Sequence, residues 1–306
     1  MQIHVAVVGS FNVDHMLYVH KFVEAGQTIL AHDATIRLGG KGFNQAMGCI
    51  ALNDPCVLFT CVGNDGQSHI DTFTRLGLKS DQVEIVDDVT GSAFIQLDDQ
   101  KENCIVVAPG ANAHVTIDYL KRHEAVLAHA QLIMTQLEIP LDTIDYLVQF
   151  AHDHAIPLLL NPAPAVKLKD EVLRHVTWLT PNQGELSILS GMPCATLDQT
   201  ITAALKMIDI GVKTVVVTMG SSGCLYVDHD HIQHIPAFKV DVVDTVGAGD
   251  CFNAAFAHAM MNGNDPFKAC QFANAAAALA IQSSDSYSAA TLANIEAFLK
   301  AHEANA

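Results

Sequence analysis

The sequence predicts an α/β fold: a three-layer, mostly parallel sheet with helices on both faces, plus a small β-sheet lid. Three observations carry this expectation. Short apolar runs alternate with helical stretches along most of the chain, the order expected of strands joined by crossover helices. The runs are apolar enough to be covered on both faces. Two segments, 16–37 and 91–107, carry no helix signal, are strand-like and neighbour candidate site residues, so they are expected to pair as the lid.

In order, the run 3–9 is the first strand, and the polar Asn12 and Asp14 follow its carboxyl end. After the first lid segment, Gly39-Gly40 opens a helix over 43–52. A strand at 57–62 and a helix at 69–76 precede the second lid segment, whose hairpin turn falls at 98–103. Helix 117–129, strand 132–137, helix 144–154 and strand 156–161 continue the alternation; His152 and His154 suit a helix end, where the dipole welcomes imidazole. Strand 177–179 leads to a helix opening at Asn182, then helix 201–210 and strand 214–218. The apolar runs 224–227 and 232–236 make a hairpin, with His229, Asp230, His231 and His234 on a solvated turn. An apolar strand ending at Asp244 meets a glycine turn, and Phe252, Phe256, Ala259 and Met260 mark an amphipathic helix from about Asp250. Helices at 266–281 and 290–301 finish the chain.

With 306 residues, 50% of them hydrophobic, the chain has material for one large core, so residues 1–306 are read as a single domain carrying the lid. No run of 18 apolar residues occurs and the N-terminus enters a strand directly, so a soluble cytoplasmic protein is expected, without a membrane span or signal peptide. Eight cysteines never form a Cys-x-x-Cys pair, which reads as core thiols in a reducing compartment. A net charge of −17 argues against a nucleic-acid partner. An anionic cosubstrate such as ATP would need metal ions to offset that charge.

The most informative stretch is Asp244-Thr245-Val246-Gly247-Ala248-Gly249-Asp250. Amides of Gly247, Ala248 and Gly249 converge at a helix N-terminus, where orphan donors and macrodipole favour an anion. A carboxylate beside such a hole suits a base that deprotonates a hydroxyl attacking phosphorus; the ordinary alternative is a helix cap. Neither a complete Gly-x-Gly-x-x-Gly nor a Gly-x-x-x-x-Gly-Lys-Ser/Thr motif is present, which counts against a dinucleotide-dependent oxidoreductase. In Gly39-Gly40-Lys41-Gly42-Phe43-Asn44-Gln45-Ala46, glycines allow close approach and Asn44 offers a donor and an acceptor to vicinal hydroxyls, as would suit a polyol that Asp14 also grips. Asn182 and Glu185 share a helix face and can hold Mg²⁺ through water, or can form a capping pair. Thr218 with Gly220, Ser221, Ser222 and Gly223 ends a strand in a turn able to bind phosphate, or is a plain hairpin turn.

These motifs, with Gly9-Ser10-Phe11-Asn12-Val13-Asp14-His15, Gly110-Ala111-Asn112-Ala113, Gln136-Leu137-Glu138 and Asn161-Pro162-Ala163-Pro164-Ala165, resemble the ribokinase family of carbohydrate and nucleoside kinases from Val7 to about Ile281. The resemblance implies transfer of the ATP γ-phosphoryl to a primary hydroxyl, with Asp250 as base and Gly247, Ala248 and Gly249 as anion hole. It implies sugar contacts from Asn12, Asp14, Gly39, Gly40, Lys41 as part of its loop, Asn44 and Glu138. It assigns nucleotide and Mg²⁺ positions to Asn182, Glu185, Thr218, Gly220 and Gly223, and an adenine contact to Asn274. D-ribose, phosphorylated at the 5-hydroxyl, is the first expected acceptor. Another sugar or a nucleoside (fructose, deoxyribose, adenosine, inosine), or a non-catalytic sugar sensor on the same fold, is the alternative. A homodimer through the lid and a monovalent cation, K⁺, also follow, the cation held by Asp244 and the carbonyls of Val246, Ala280 and Ser283. Two departures bear on this. Phe43 replaces a small residue and is expected to reshape the sugar pocket; Asp285 and Ala289 stand where the cation loop has a glycine and a hydroxyl residue.

Overall fold

Along β1 (Ile3–Val8), Val5 and Val7 enter one hydrophobic core while Ala6 and Val8 enter another, the two-residue period of a strand covered on both faces. This arrangement comes from a computed structural model that describes residues 3–100, 102–283 and 285–303. The remaining strands are β2 (Asn12–Tyr18), β3 (Asp33–Gly39), β4 (Cys56–Val62), β5 (Val83–Ile85), β6 (Gly91–Leu97), β7 (Asn103–Ala108), β8 (Ala130–Thr135), β9 (Leu158–Leu160), β10 (Trp178–Leu179), β11 (Thr214–Thr218), β12 (Cys224–Val227) and β13 (Ile232–Ile235). The helices are α1 (Lys41–Ala51), α2 (Gly66–Arg75), α3 (Ile117–Leu127), α4 (Leu141–Asp153), α5 (Asp170–Leu173), α6 (Gln183–Ser190), α7 (Leu197–Ile210), α8 (Ala248–Met261), α9 (Pro266–Ala280), α10 (Ser286–Ala289) and α11 (Leu292–Glu303).

The large sheet runs β13-β12-β11-β10-β9-β8-β1-β4-β5, parallel from β11 to β5, with the antiparallel hairpin β12–β13 at one edge. One core holds side chains of α3 to α7; the other holds those of α1, α2, α8, α9 and α11. Alanines dominate the buried face of α8 and α9, which lets the two helices lie close. After β1 the chain moves one way to β4 and β5, then returns to build β8 through β11 on the other side. The order therefore reverses between β1 and β8, and the crevice beyond their carboxyl ends is where such sheets bind ligands.

A separate four-stranded sheet has the order β3-β2-β6-β7. It joins the two segments that lacked a helix signal, although strand structure begins earlier, at Asn12, and residues 19–32 between β2 and β3 are irregular. The expected strand ending at Asp244 is absent. Backbone amides of Val243 and Asp244 donate to the Ile281 carbonyl (2.7 and 3.2 Å), so the end of α9, not a strand ladder, holds this exposed stretch. Helix α8 begins at Ala248, two residues before the sequence suggests. No helix among the described residues is long and apolar enough to cross a membrane.

Candidate active site

Five neighbouring parallel strands deliver polar groups to the same edge of the sheet. Asn12 follows β1, Gln136 and Glu138 follow β8, Asn161 follows β9, Asn182 follows β10, and Thr218 ends β11. Asn112 fixes the first of these: it accepts from the Phe11 amide (2.9 Å), donates to the Phe11 carbonyl (3.1 Å) and donates to Asn12 Oδ1 (2.8 Å).

The glycine loop is bound to that frame from both sides of the strand-order reversal. The amides opening α1 find distant acceptors: Lys41 N–H donates to Glu138 Oε2 (3.0 Å), Gly42 N–H to Ser10 Oγ (3.3 Å) and Phe43 N–H to the Ser10 carbonyl (2.9 Å). Ser10 Oγ in turn donates to Glu138 Oε2 (2.5 Å). Glu138, assigned by resemblance to the sugar, is therefore also the anion at a helix N-terminus. A side chain at Gly40, whose φ is +88°, would lie 2.8 Å from the Asn12 amide, and one at Gly39 only 1.9 Å from Asp14 Oδ2.

Asp250 is nearly fully buried and is gripped from α1, by Asn44 Nδ2 at Oδ2 (3.1 Å) and Gln45 Nε2 at Oδ1 (3.1 Å). Gln45 is oriented by a donor from Gln136 (2.7 Å) and also donates to Asn161 (3.3 Å), so four residues from three elements hold one carboxylate. Burial raises the Asp250 pKa above the usual carboxylate range, while Lys41, Asn44 and Gln45 act against that rise. Gly247, at φ +79°, caps α8 with no side-chain capping bond; of the three expected anion-hole amides, that of Ala248 already donates to the Thr245 carbonyl (3.3 Å), which leaves those of Gly247 and Gly249 for an outside anion.

Asp14 faces a cavity of about 330 Å³ lined also by Asn44, Arg37, Gly247 and Tyr287. Its Oδ1 is buried and has no partner among the described residues, a costly state that a ligand hydroxyl would relieve. Burial, with Glu138 and Asp250 adding repulsion, pushes Asp14 up to about 7 against the pull of Arg37 and Lys41. Burial works to lower the Lys41 pKa, but the fields of Asp250, Glu138, Glu185 and Asp14 outweigh it and raise it. Besides its place in the loop, the lysine therefore sits as a cation in the field of four acids.

On the nucleotide side, Thr218 N–H donates to the Pro181 carbonyl (2.9 Å) and Thr218 pairs with Asn182, so these two positions are adjacent. Asn182 and Glu185 form a capping box: Asn182 Oδ1 accepts from the Glu185 amide (2.8 Å) and Glu185 Oε2 from the Asn182 amide (2.8 Å). Burial chiefly raises the Glu185 pKa, with Asp250 adding to it and Asn182 and Lys41 opposing. The turn of Gly220, Ser221 and Ser222 is exposed beside Thr218, with Gly223 buried behind it. Asn274 stands apart, donating to the Ile235 and Pro236 carbonyls (3.2 and 3.1 Å), which border a second hollow of about 520 Å³.

Phe43 does not line the sugar cavity, although its ring lies edge-on to the cavity-lining Tyr287 (centroids 6.4 Å). It is fully buried, edge-on to Phe11 and tilted against Phe73 (centroids 5.4 Å each), because α1 turns it toward the core while Lys41 and Asn44 face the site. Among the cation-loop positions, Asp244 accepts from the Val246 amide (2.9 Å) and from Arg37 Nη1 (3.2 Å), and the Ala280 carbonyl accepts from the Ser283 amide (3.2 Å). Sequence reading missed Arg37, Gln45, Ser10 and the charge of Lys41; Gln45 and Lys41 lay within a motif already noted.

The chain as a whole is similar to known kinases. The ribokinase of Haemophilus influenzae is 34% identical over 278 residues, covering 90% of this chain and 91% of that protein. The deoxyribokinase of Salmonella typhi is 37% identical over 265 residues, covering 85% and 87%. The structure of Arabidopsis thaliana ribokinase complexed with ribose and ATP aligns with a TM-score of 0.88 at 30% identity, over 98% of this chain and 99% of that one. The model described as pfkB family carbohydrate kinase matches residues 2–292, and the chain belongs to that family.

Proposed function

We propose that this carbohydrate kinase transfers the γ-phosphoryl of ATP to the 5-hydroxyl of D-ribose, with Asp250 as general base. The observation that carries the reading is the pairing of two carboxylates with different surroundings. Asp14 offers an unpartnered oxygen to the cavity, as a group that binds hydroxyls should, whereas Asp250 is clamped by two amide side chains beside an uncapped helix N-terminus. Asn12, Gly39, Gly40 and Asn44 border the sugar, and amides of Gly247 and Gly249 face the charge that develops on the transferred group. Asn182, Thr218 and the turn from Gly220 to Gly223 border the nucleotide, and the segment at Ile235 and Pro236 that Asn274 holds is read as the adenine side. Deoxyribose is the second reading, favoured by the Salmonella relative at 37% identity. A coupled assay over ribose, deoxyribose, fructose, adenosine and inosine tests both: ribose is expected to give the highest kcat/KM, and a higher value for a hexose or nucleoside would overturn the assignment.

The donor set on the nucleotide side fits Mg²⁺: Asn182 and Glu185, adjacent to Thr218 at the strand ends, would hold the hydrated ion. When bound, it neutralises phosphate charge. Both Glu185 oxygens are already engaged by Asn182, so the carboxylate would act on the ion through water. Replacing Glu185 with Gln is expected to raise the Mg²⁺ needed for half-maximal rate by about tenfold while the sugar KM moves less. An unchanged metal requirement with a lowered Tm would leave Glu185 as a cap only. K⁺ does not enter this reading, because Arg37 already sits on the carboxylate that would hold it.

The small sheet is read as a lid over the sugar and as the dimer contact. Support comes from its exposed apolar side chains, Phe94 and Val106 on one face and Ile105 and Val107 on the other, on β6 and the edge strand β7. The whole chain acts as one domain in this account, and its eight unpaired cysteines suit a reducing, cytoplasmic setting.

A further inference from the structure

The family resemblance implies a monovalent cation on the loop around Asp244, and the residues present do not fit it. Asp244 has both oxygens engaged, Oδ1 by the Val246 amide (2.9 Å) and Oδ2 by the Arg37 guanidinium (3.2 Å). A metal ion at that carboxylate would have to displace the guanidinium or sit against its positive charge. Two further ligand positions have changed with it: Ala289 lacks a hydroxyl, and the exposed Asp285 uses Oδ2 to accept from Ser288 (2.7 Å). Arg37 is no surface stray. It lies directly across β2–β3 from Asp14, pulls on that carboxylate, and lines the same cavity as Gly247.

We infer that Arg37 is this enzyme's built-in monovalent cation: its guanidinium neutralises Asp244, holds the turn that forms the anion hole, and removes the need for K⁺. Arg37 acts through that turn and is a positioning residue. Guanidinium suits the post because it stays charged at any working pH and is more weakly hydrated than ammonium, so it tolerates a partly buried site. Tethered to β3, it also links the sugar-binding sheet to the phosphoryl-binding turn, which a free ion would not do. The inference rests on the kinase reading, and its test separates the two.

The test compares wild type and Arg37→Met in KCl and in tetramethylammonium chloride at equal ionic strength, reading both turnover and melting temperature. Wild type is expected to change by less than about twofold in kcat between the two salts, with no K⁺-dependent rise in melting temperature. Arg37→Met in tetramethylammonium is expected to lose on the order of 10²-fold in kcat, and to recover part of it with added guanidinium ion at non-denaturing concentration or with K⁺. A wild type stimulated about tenfold or more by K⁺, or stabilised by it, would overturn the inference and leave the kinase reading intact. An Arg37→Met enzyme that is folded, fully active and indifferent to salt would overturn it as well. If no acceptor turns over in either salt, the kinase reading falls, and the melting temperatures still decide whether K⁺ binds.

Discussion

Replacing Asp250 with Asn is expected to lower kcat by on the order of 10²–10⁴ while the dissociation constants for sugar and ATP change little. The substitution keeps the shape of the side chain and can retain a hydrogen bond from Asn44 or Gln45, so the frame around position 250 survives. What is lost is the ability to take a proton from the attacking hydroxyl. The environment is arranged for that proton. Burial favours the neutral acid, while Lys41, Asn44 and Gln45 favour the carboxylate that a base needs. A folded variant with kcat within about threefold of wild type would assign the proton to solvent or phosphate and Asp250 to architecture.

The second large effect is expected at Asp14. Asp14→Ala removes charge-assisted hydrogen bonds to the sugar and should weaken its binding by about 2–3 kcal/mol, with ATP affinity intact. An unchanged sugar KM would take Asp14 out of the site. Its pKa of about 7 adds a pH signature, because only the ionised group accepts two hydroxyl bonds. Sugar kcat/KM should therefore fall as pH drops through about 7, and a flat profile from pH 6 to 8 would contradict this. The stability effect has the opposite sense. A carboxyl with a raised pKa binds its proton more tightly folded than unfolded, so its contribution to stability declines as pH rises from about 3.8 to about 7. Asp14→Asn should accordingly stabilise the fold above pH 7, by on the order of a few kcal/mol, and this gain should fade toward pH 4. Loss of binding with gain of stability is what a strained functional group predicts; loss of both would mark Asp14 as structural.

Features that depend on short stretches of chain were legible before any coordinates. The Gly247 to Asp250 turn is one: small residues before an amphipathic helix specify an uncapped N-terminus locally. The Asn182 and Glu185 spacing likewise spells a capping box, and the box is present. Features that depend on residues meeting from afar were not legible. Arg37 and Asp244 are 207 positions apart, and nothing near either one announces the other. Lys41 looked like a loop filler because its four acids come from different elements. Phe43, a large residue where the loop usually has a small one, was expected to act on the cavity directly; the helical turn sends its ring into the core with Phe11 and Phe73, so it reaches the cavity wall only through Tyr287. The strand expected to end at Asp244 failed because an apolar run signals burial or pairing without supplying a partner strand: Val242 and Val243 are exposed, and the Val243 amide bonds to the end of α9 instead of a ladder.

The central claim is that Asp250 and the anion hole place phosphorus on the primary hydroxyl of a pentose that Asp14 holds. Proton-coupled ³¹P spectra of the product from D-ribose and ATP test it most directly. The account predicts one ester signal split by the two protons of carbon 5, growing in step with ADP and absent with Asp250→Asn over the same period. A signal split by the single proton of the anomeric carbon, or ADP released with only inorganic phosphate, would contradict it.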